Sequence, residues 1–236
     1  MDFFISGIGL VTEKKFGCAG NFSKTESDKF RLSEIARKDV LKKPYKPFGR
    51  MDLFSKIGFA GIYFSYEDAG LVNKNKMSNT SIIASTRYGC IAADYDFFDT
   101  VRVDNGKNAS PALFAYTLPN IFLGEASIFL KLTGETFILN DTNANGITAL
   151  KTGLDILKNK ESDFVLCGLC DTNSPGFLQN RSSDFIGSLF FTIGLKRQKR
   201  CYGTIQQNRH GDILFTNKSV TNLFDLARAC MKNIKF

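Results

Sequence analysis

The chain has no tryptophan, one histidine (His210) and five prolines among 236 residues, and no apolar run near the roughly 18 residues that a membrane-spanning helix needs. Each scarcity excludes something. A Ser-His or Cys-His catalytic pair can be built only around His210, which lies in the polar segment Asn208–Asp212 and reads as a solvent-facing loop residue. The absence of a Gly/Pro-rich tract or a block of like charge argues against a disordered or collagen-like chain. The start, Met1–Gly7, lacks the positive n-region and long apolar core of a secretory signal, so a cytoplasmic location is expected. Cys167 and Cys170 have CxxC spacing, but no second Cys/His pair completes a zinc site and they follow an apolar strand. Buried structural thiols are expected, with no metal and no cofactor.

What is abundant is phenylalanine, 23 residues, and positive charge, with 31 Lys+Arg against 23 Asp+Glu for a net +8. A basic surface attracts anionic partners and speeds their approach. The densest runs, Lys42–Lys46 and Lys196–Arg200, are short and far apart in sequence. Nucleic acid, a membrane surface and an acidic protein are all candidates, and no helix-turn-helix, zinc-finger or RNA-recognition pattern accompanies the basic runs to favour nucleic acid.

Strand and helix patterns alternate along the chain. Phe3–Ser6, Thr80–Ser85, Phe137–Leu139 and Phe164–Leu169 read as buried-type strands, and Phe185–Leu195 is a continuous apolar run. Helical spacing marks 52–69, where Gly58 and Gly61 on one face imply close packing against another backbone. Further helices are expected over 94–101, over 111–132 with a break at Pro119, over 147–158 and over 220–234. Short strands at Tyr202–Ile205 and Ile213–Phe215 precede the last helix. The order implies an α/β layered domain.

In that order the segments resemble the β-ketoacyl synthases of the thiolase fold. Ile5-Ser6-Gly7-Ile8-Gly9 resembles the family's first strand and Gly-x-Gly turn; Arg50-Met51-Asp52 and Tyr66–Leu71 resemble its first long helix. Ser110–Ala115, Leu118-Pro119-Asn120 and Gly124 resemble the segment that crosses the synthase dimer interface, and Gly134-Glu135-Thr136 leads toward Asp141–Gly146. The resemblance implies a single domain over 1–236, a layered α/β/α half of a thiolase-like fold with a mixed five-stranded sheet and a divergent tail over 202–236. It places Asn143 where the family carries its nucleophilic cysteine at a helix N-terminus. A carboxamide cannot carry an acyl group as a thiolate does. The family's catalytic histidines belong to a C-terminal half with no counterpart here, and His210 occupies neither position.

The resemblance therefore implies a non-catalytic subunit similar to the chain-length factors of polyketide and polyene systems, including aryl-polyene and flexirubin pigments. Its partners would be an active ketosynthase, in a heterodimer, and an acidic acyl carrier protein. Phe97, Phe98, Phe114, Tyr116, Asn120 and Phe122 are expected at the tunnel and interface, although phenylalanines at helical spacing equally suit plain core. Half a fold leaves the apolar face of helix 147–158 to be covered by a partner or by the tail. Two alternatives stand beside this reading: a malonyl-thioester decarboxylase using backbone N–H groups at Asn143, and an unrelated basic binding protein.

Overall fold

The computed structural model describes residues 1–19, 21–24, 31–72, 77–103, 105–172 and 185–233. The irregular stretch 173–184 and the end of the last helix at Ile234 lie outside them. In chain order the elements are strands β1 (Asp2–Val11), β2 (Lys15–Cys18) and β3 (Asn21–Lys24), then helices α1 (Arg37–Val40) and α2 (Leu53–Asp68), then β4 (Thr80–Thr86). Next come α3 (Ile91–Arg102), α4 (Pro111–Phe114), α5 (Ile121–Leu130), β5 (Thr136–Asn140), α6 (Ile147–Lys158), β6 (Phe164–Asp171) and β7 (Gly187–Gly194). The tail forms β8 (Gly203–Gln207), β9 (Ile213–Phe215), β10 (Lys218–Val220) and α7 (Leu223–Lys232).

Asp52 caps α2 by accepting the Ser55 N–H at 3.1 Å. The glycines of α2 are there for close approach: a Cβ on Gly61 would collide with Ser188 of β7, and one on Gly58 with the Phe122 ring. The helix thus lies directly on the sheet. Pro119 interrupts the expected 111–132 helix, which forms as the separate segments α4 and α5.

The sheet runs β10-β9-β8-β1-β7-β6-β4-β5, with β2 and β3 attached to β1. Strands β5, β4 and β6 are parallel, while β7 is antiparallel to both β6 and β1. These five form the mixed sheet expected from the sequence. The tail enlarges it, because β8 pairs antiparallel with Asp2–Ile5 of β1 and carries β9 and β10 beyond. Strand alternation sorts side chains to two cores. Ile82 and Ala84 join Phe54, Ile57 and Phe122 under α2 and α5, while Ile83 joins Leu150, Leu154 and Leu157 under α6.

Alternation also settles the CxxC pair. Three residues apart on β6, Cys167 faces the α6 core and Cys170 the α2 core, so the two thiols point to opposite faces of the sheet. Both are fully buried, and burial pushes both thiols well above the ordinary range.

The chain covers the apolar face of α6 itself. Leu223, Leu226 and Cys230 of α7 and Ile205, Ile213 and Phe215 of the tail strands pack in the same core as Leu150, Leu154 and Leu157. Of the two covers expected for this face, the tail supplies one. Each buried leucine contributes about 1.5–3 kcal/mol. The tail is also anchored by a buried carboxylate, since Asp68 at the end of α2 accepts the Ile8 N–H at 2.9 Å and the Tyr202 hydroxyl at 2.6 Å and pairs with Arg200.

Strand β5 departs from its sequence pattern. Phe137-Ile138-Leu139 reads as fully buried, yet β5 is the sheet edge and Phe137 is 41% exposed. Among the described residues β4 pairs with one side of β5 and no strand pairs with the other, while Ile138 and Leu139 pack partly against the two cores.

Candidate functional site

Strands β4, β5 and β6 run parallel, so the turns after them gather at one crest, where α/β proteins commonly place their sites. After β5 the chain turns through Asp141–Gly146 into α6. The Asp141 N–H donates to the Thr86 carbonyl at 2.8 Å, tying this turn to the end of β4. The Asp141 carboxylate accepts the Asn143 N–H at 3.1 Å and the Gly146 N–H at 3.2 Å. The Ala144 N–H donates to the Asp141 carbonyl at 2.9 Å, and the Ile147 N–H to Asn145 Oδ1 at 2.9 Å. Ala144 and Gly146 adopt φ of +48° and +71°, which lets the chain reverse this tightly before the helix.

The Asn143 side chain is exposed on this turn, ahead of the α6 N-terminus. The other side of the turn is covered by α7: the Leu223 N–H donates to the Asn145 carbonyl at 2.9 Å, and a Cβ on Gly146 would overlap the Leu223 side chain. The turn after β4 is built on a second buried carboxylate. Asp171 accepts the Thr86 hydroxyl at 2.8 Å and the N–H groups of Arg87 and Tyr88 at 2.9 and 3.0 Å. Burial holds the Asp171 carboxyl above the ordinary range, partly offset by these donors.

Beside the crest a cavity of about 450 Å³ is lined by Asp52, Phe54, Cys90, Ala93, Asp96 and Thr172 among others. Cys90 is not an activated nucleophile. Burial, then the neighbouring Asp94, pushes its thiol up to about 12. His210 is exposed in the β8–β9 turn, where its N–H donates to Asn208 Oδ1 at 2.9 Å.

The six residues expected at the tunnel and interface separate into two settings. Phe97 of α3 and Phe114 of α4 meet with ring centroids 5.3 Å apart and planes tilted by 54°, and Phe98 and Phe114 are 55% and 60% exposed. Phe97 and Phe98 line a groove of about 550 Å³ with Ile91, Asp94, Tyr95 and Thr117. Tyr116 is half-buried and Asn120 exposed just before α5. Phe122 is elsewhere: it is fully buried between Phe54 and Phe190 and belongs to the α2 core. Its aromatic character made it look like its neighbours, but helical phase turns it inward.

Two features escaped the sequence. Asp141 and Asp171 organise the crest, and only their positions at strand ends hint at it. The two basic runs, distant in sequence, meet at the C-terminus of α2, where Lys42 pairs with Glu67 at 2.9 Å and Arg200 with Asp68. The negative end of the helix dipole and two consecutive carboxylates favour cations there. Lys43, Arg197 and Lys199 are exposed beside them.

A mixed sheet with helices on both faces and a crest turn leading into α6 defines this as a thiolase-like α/β protein. Residues 26–176 match the family model "Beta-ketoacyl synthase, N-terminal domain", and the chain belongs to that family. The expectation of an unrelated basic binding protein falls with this match.

Solved structures of the same fold include a type II PKS acyl-carrier protein in complex with its ketosynthase, with TM-score 0.68, 15% identity and coverage of 86% of this chain and 67% of that one. The ishigamide ketosynthase/chain length factor gives TM-score 0.64 and 13% identity over 86% of this chain and 62% of that one. A ketosynthase in complex with its chain length factor from Xenorhabdus doucetiae gives 0.60 and 13% over 84% and 81%. At these identities the likeness concerns the fold, and the chain spans 67% and 62% of the first two relatives. No curated protein sequence matches significantly. Among the described residues no helix is long and apolar enough to cross a membrane, and no cluster of three or more metal-ligating side chains occurs.

Proposed function

We propose that this chain is a non-catalytic, chain-length-factor-like subunit that pairs with an active β-ketoacyl synthase and helps wall the tunnel for the growing acyl chain. The observation that carries the reading is β5. A strand that is the edge of the sheet among the described residues, with a 41% exposed Phe137, invites pairing with another strand. Ile128 of α5, Phe114 and Leu118 are 73%, 60% and 57% exposed, adding apolar surface on the segment that leads into this strand. The α6 face is already covered, which leaves the β5 side as the docking face.

Within the pair, the groove beside Phe97 and Phe98 is the part of this subunit suited to an apolar chain. Asn143 at the crest has no nucleophile to offer. The convergent basic surface at the end of α2 suits an acidic carrier protein, steering its approach more than adding affinity. The structurally similar proteins include a ketosynthase with its chain length factor and a carrier protein with its ketosynthase, which supports the choice of partners. The sequence resemblance points further to a cytoplasmic, polyene-type pathway of the aryl-polyene or flexirubin kind.

Co-expression with a ketosynthase encoded beside it tests this. A 1:1 heterodimer whose product length depends on the chain is expected. A chain that stays apart from a fully active synthase would refute the proposal.

A further inference from the structure

Two cysteines outside the candidate site stand on tail elements that pack together. Cys201 is half-buried just ahead of β8, and its thiol donates to the Gly203 carbonyl at 3.6 Å. Cys230 is fully buried in the last turn of α7. That turn is fastened to the start of β8. Asn233, three residues on from Cys230 and so on the same helical face, donates its side-chain amide to the Tyr202 carbonyl at 3.4 Å. A Cβ on Gly203 would lie 3.6 Å from the same Asn233 nitrogen. The end of α7 therefore lies over residues 201–203, with one thiol on each side of the contact. Burial, and then Cys201 itself, push the Cys230 thiol well above its ordinary range. Cys18 and Cys90 are placed differently, each beside a carboxylate, Glu67 and Asp94 respectively.

We propose that Cys201 and Cys230 form a redox-sensitive staple that locks α7 onto β8. Because α7 also covers α6 and bonds the crest turn through the Leu223 N–H, the staple fixes the whole cover in place. The oxidant is a small-molecule disulfide such as oxidised glutathione. The Cys201 sulfur, the more exposed of the two, attacks it, and one glutathione leaves as a thiol carrying the Cys201 proton. The Cys230 sulfur then attacks the Cys201 sulfur of this mixed disulfide, and the second glutathione leaves with the Cys230 proton. The pair has given up two electrons and two protons, and the glutathione disulfide has become two thiols. The second step is the slow one, since a buried thiol that holds its proton supplies little thiolate. It also requires the last turn of α7 to shift until the two Cβ atoms are about 4 Å apart. A reducing glutathione pool leaves the staple open.

The test incubates the full folded chain with oxidised glutathione and digests it with trypsin without reductant. Cleavage after Arg200, Arg209, Arg228 and Lys232 puts the two cysteines in separate peptides. A peptide pair joined through Cys201 and Cys230 is expected, lighter by about 2 Da than the sum of the reduced peptides. Amide hydrogen exchange across α7 is expected to slow about tenfold in the oxidised chain and to recover on reduction. In Cys230→Ser, glutathione should remain on Cys201 and α7 exchange should not slow. Should that variant fail to fold, Cys201→Ser, at the half-buried position, replaces it and should give neither the joined peptide nor the slowing. Three results would overturn the proposal: glutathione that stays on Cys201 of the wild type, a link from Cys201 to Cys18, or a joined peptide with α7 exchange unchanged. These readouts use the chain alone, so a failure to pair with a synthase leaves them standing, and their failure leaves the pairing proposal intact.

Discussion

If α7 is docked on the crest turn, Gly146 and Leu223 must be energetically coupled. Gly146 has φ +71°, so Gly146→Ala incurs about 1 kcal/mol of backbone strain. The new methyl would also overlap the Leu223 side chain, and relieving such overpacking costs about 1–3 kcal/mol. Leu223 is fully buried, so Leu223→Ala should cost about 3 kcal/mol through the cavity it leaves, with its N–H bond to Asn145 retained. In the double variant the methyl at 146 grows into that cavity and the overlap disappears. The double variant should therefore be less destabilised than the sum of the singles by about 1–2 kcal/mol. Urea unfolding of the four proteins measures this, with the m-value as a check that the unfolding unit is unchanged. Additivity within about 0.5 kcal/mol would refute the docking of α7 on this turn.

Burial is the leading cause that holds the Asp68 carboxyl above the ordinary 3.8, despite its donors and Arg200. Between the unfolded and folded values the native state binds more protons, so this group's contribution to stability falls as pH rises through that window. The stability gap between wild type and Asp68→Asn should accordingly shrink as pH rises above the ordinary 3.8, and a gap that widens would show the ionised pair with Arg200 to dominate. Charge reversal at Lys43, Arg197 and Lys199 should slow association with an acidic carrier protein about tenfold at low salt and much less at high salt, followed by stopped flow; a salt-independent rate would place the docking surface elsewhere. Cys167 and Cys170 should resist alkylation until global unfolding, because both are fully buried; labelling of the folded chain at either would contradict their placement in the two cores.

Elements with strong periodicity were legible in the sequence. Helix α6 has the bounds that its Ile147, Leu150, Leu154 and Leu157 stripe predicts, and Gly58 and Gly61 announced the close contact of α2 with its neighbours. Tertiary relations were not legible. The pattern of Phe137–Leu139 registers apolar character but cannot tell a strand buried by its own chain from one that awaits a neighbour. Phe122 and Phe114 look alike in sequence, and only helix phase and the break at Pro119 send one inward and leave the other exposed. Val220, expected to begin the last helix, forms part of β10 instead, because strand pairing with Ile213 overrides its helical spacing. At the crest, Asn143 drew notice through what it is not. Asp141 passes for an ordinary turn former, and its role follows only from which N–H groups its two oxygens meet.

The central claim, a heterodimer built through the open edge of β5, is tested most directly by native mass spectrometry of the chain co-purified with a neighbouring ketosynthase, beside the Phe137→Asp variant. A 1:1 complex is expected for the wild type and its loss in Phe137→Asp, with the isolated variant still folding cooperatively at a modestly lower melting temperature, since Phe137 is 41% exposed. An undiminished complex with Phe137→Asp, or none with the wild-type chain, would contradict it.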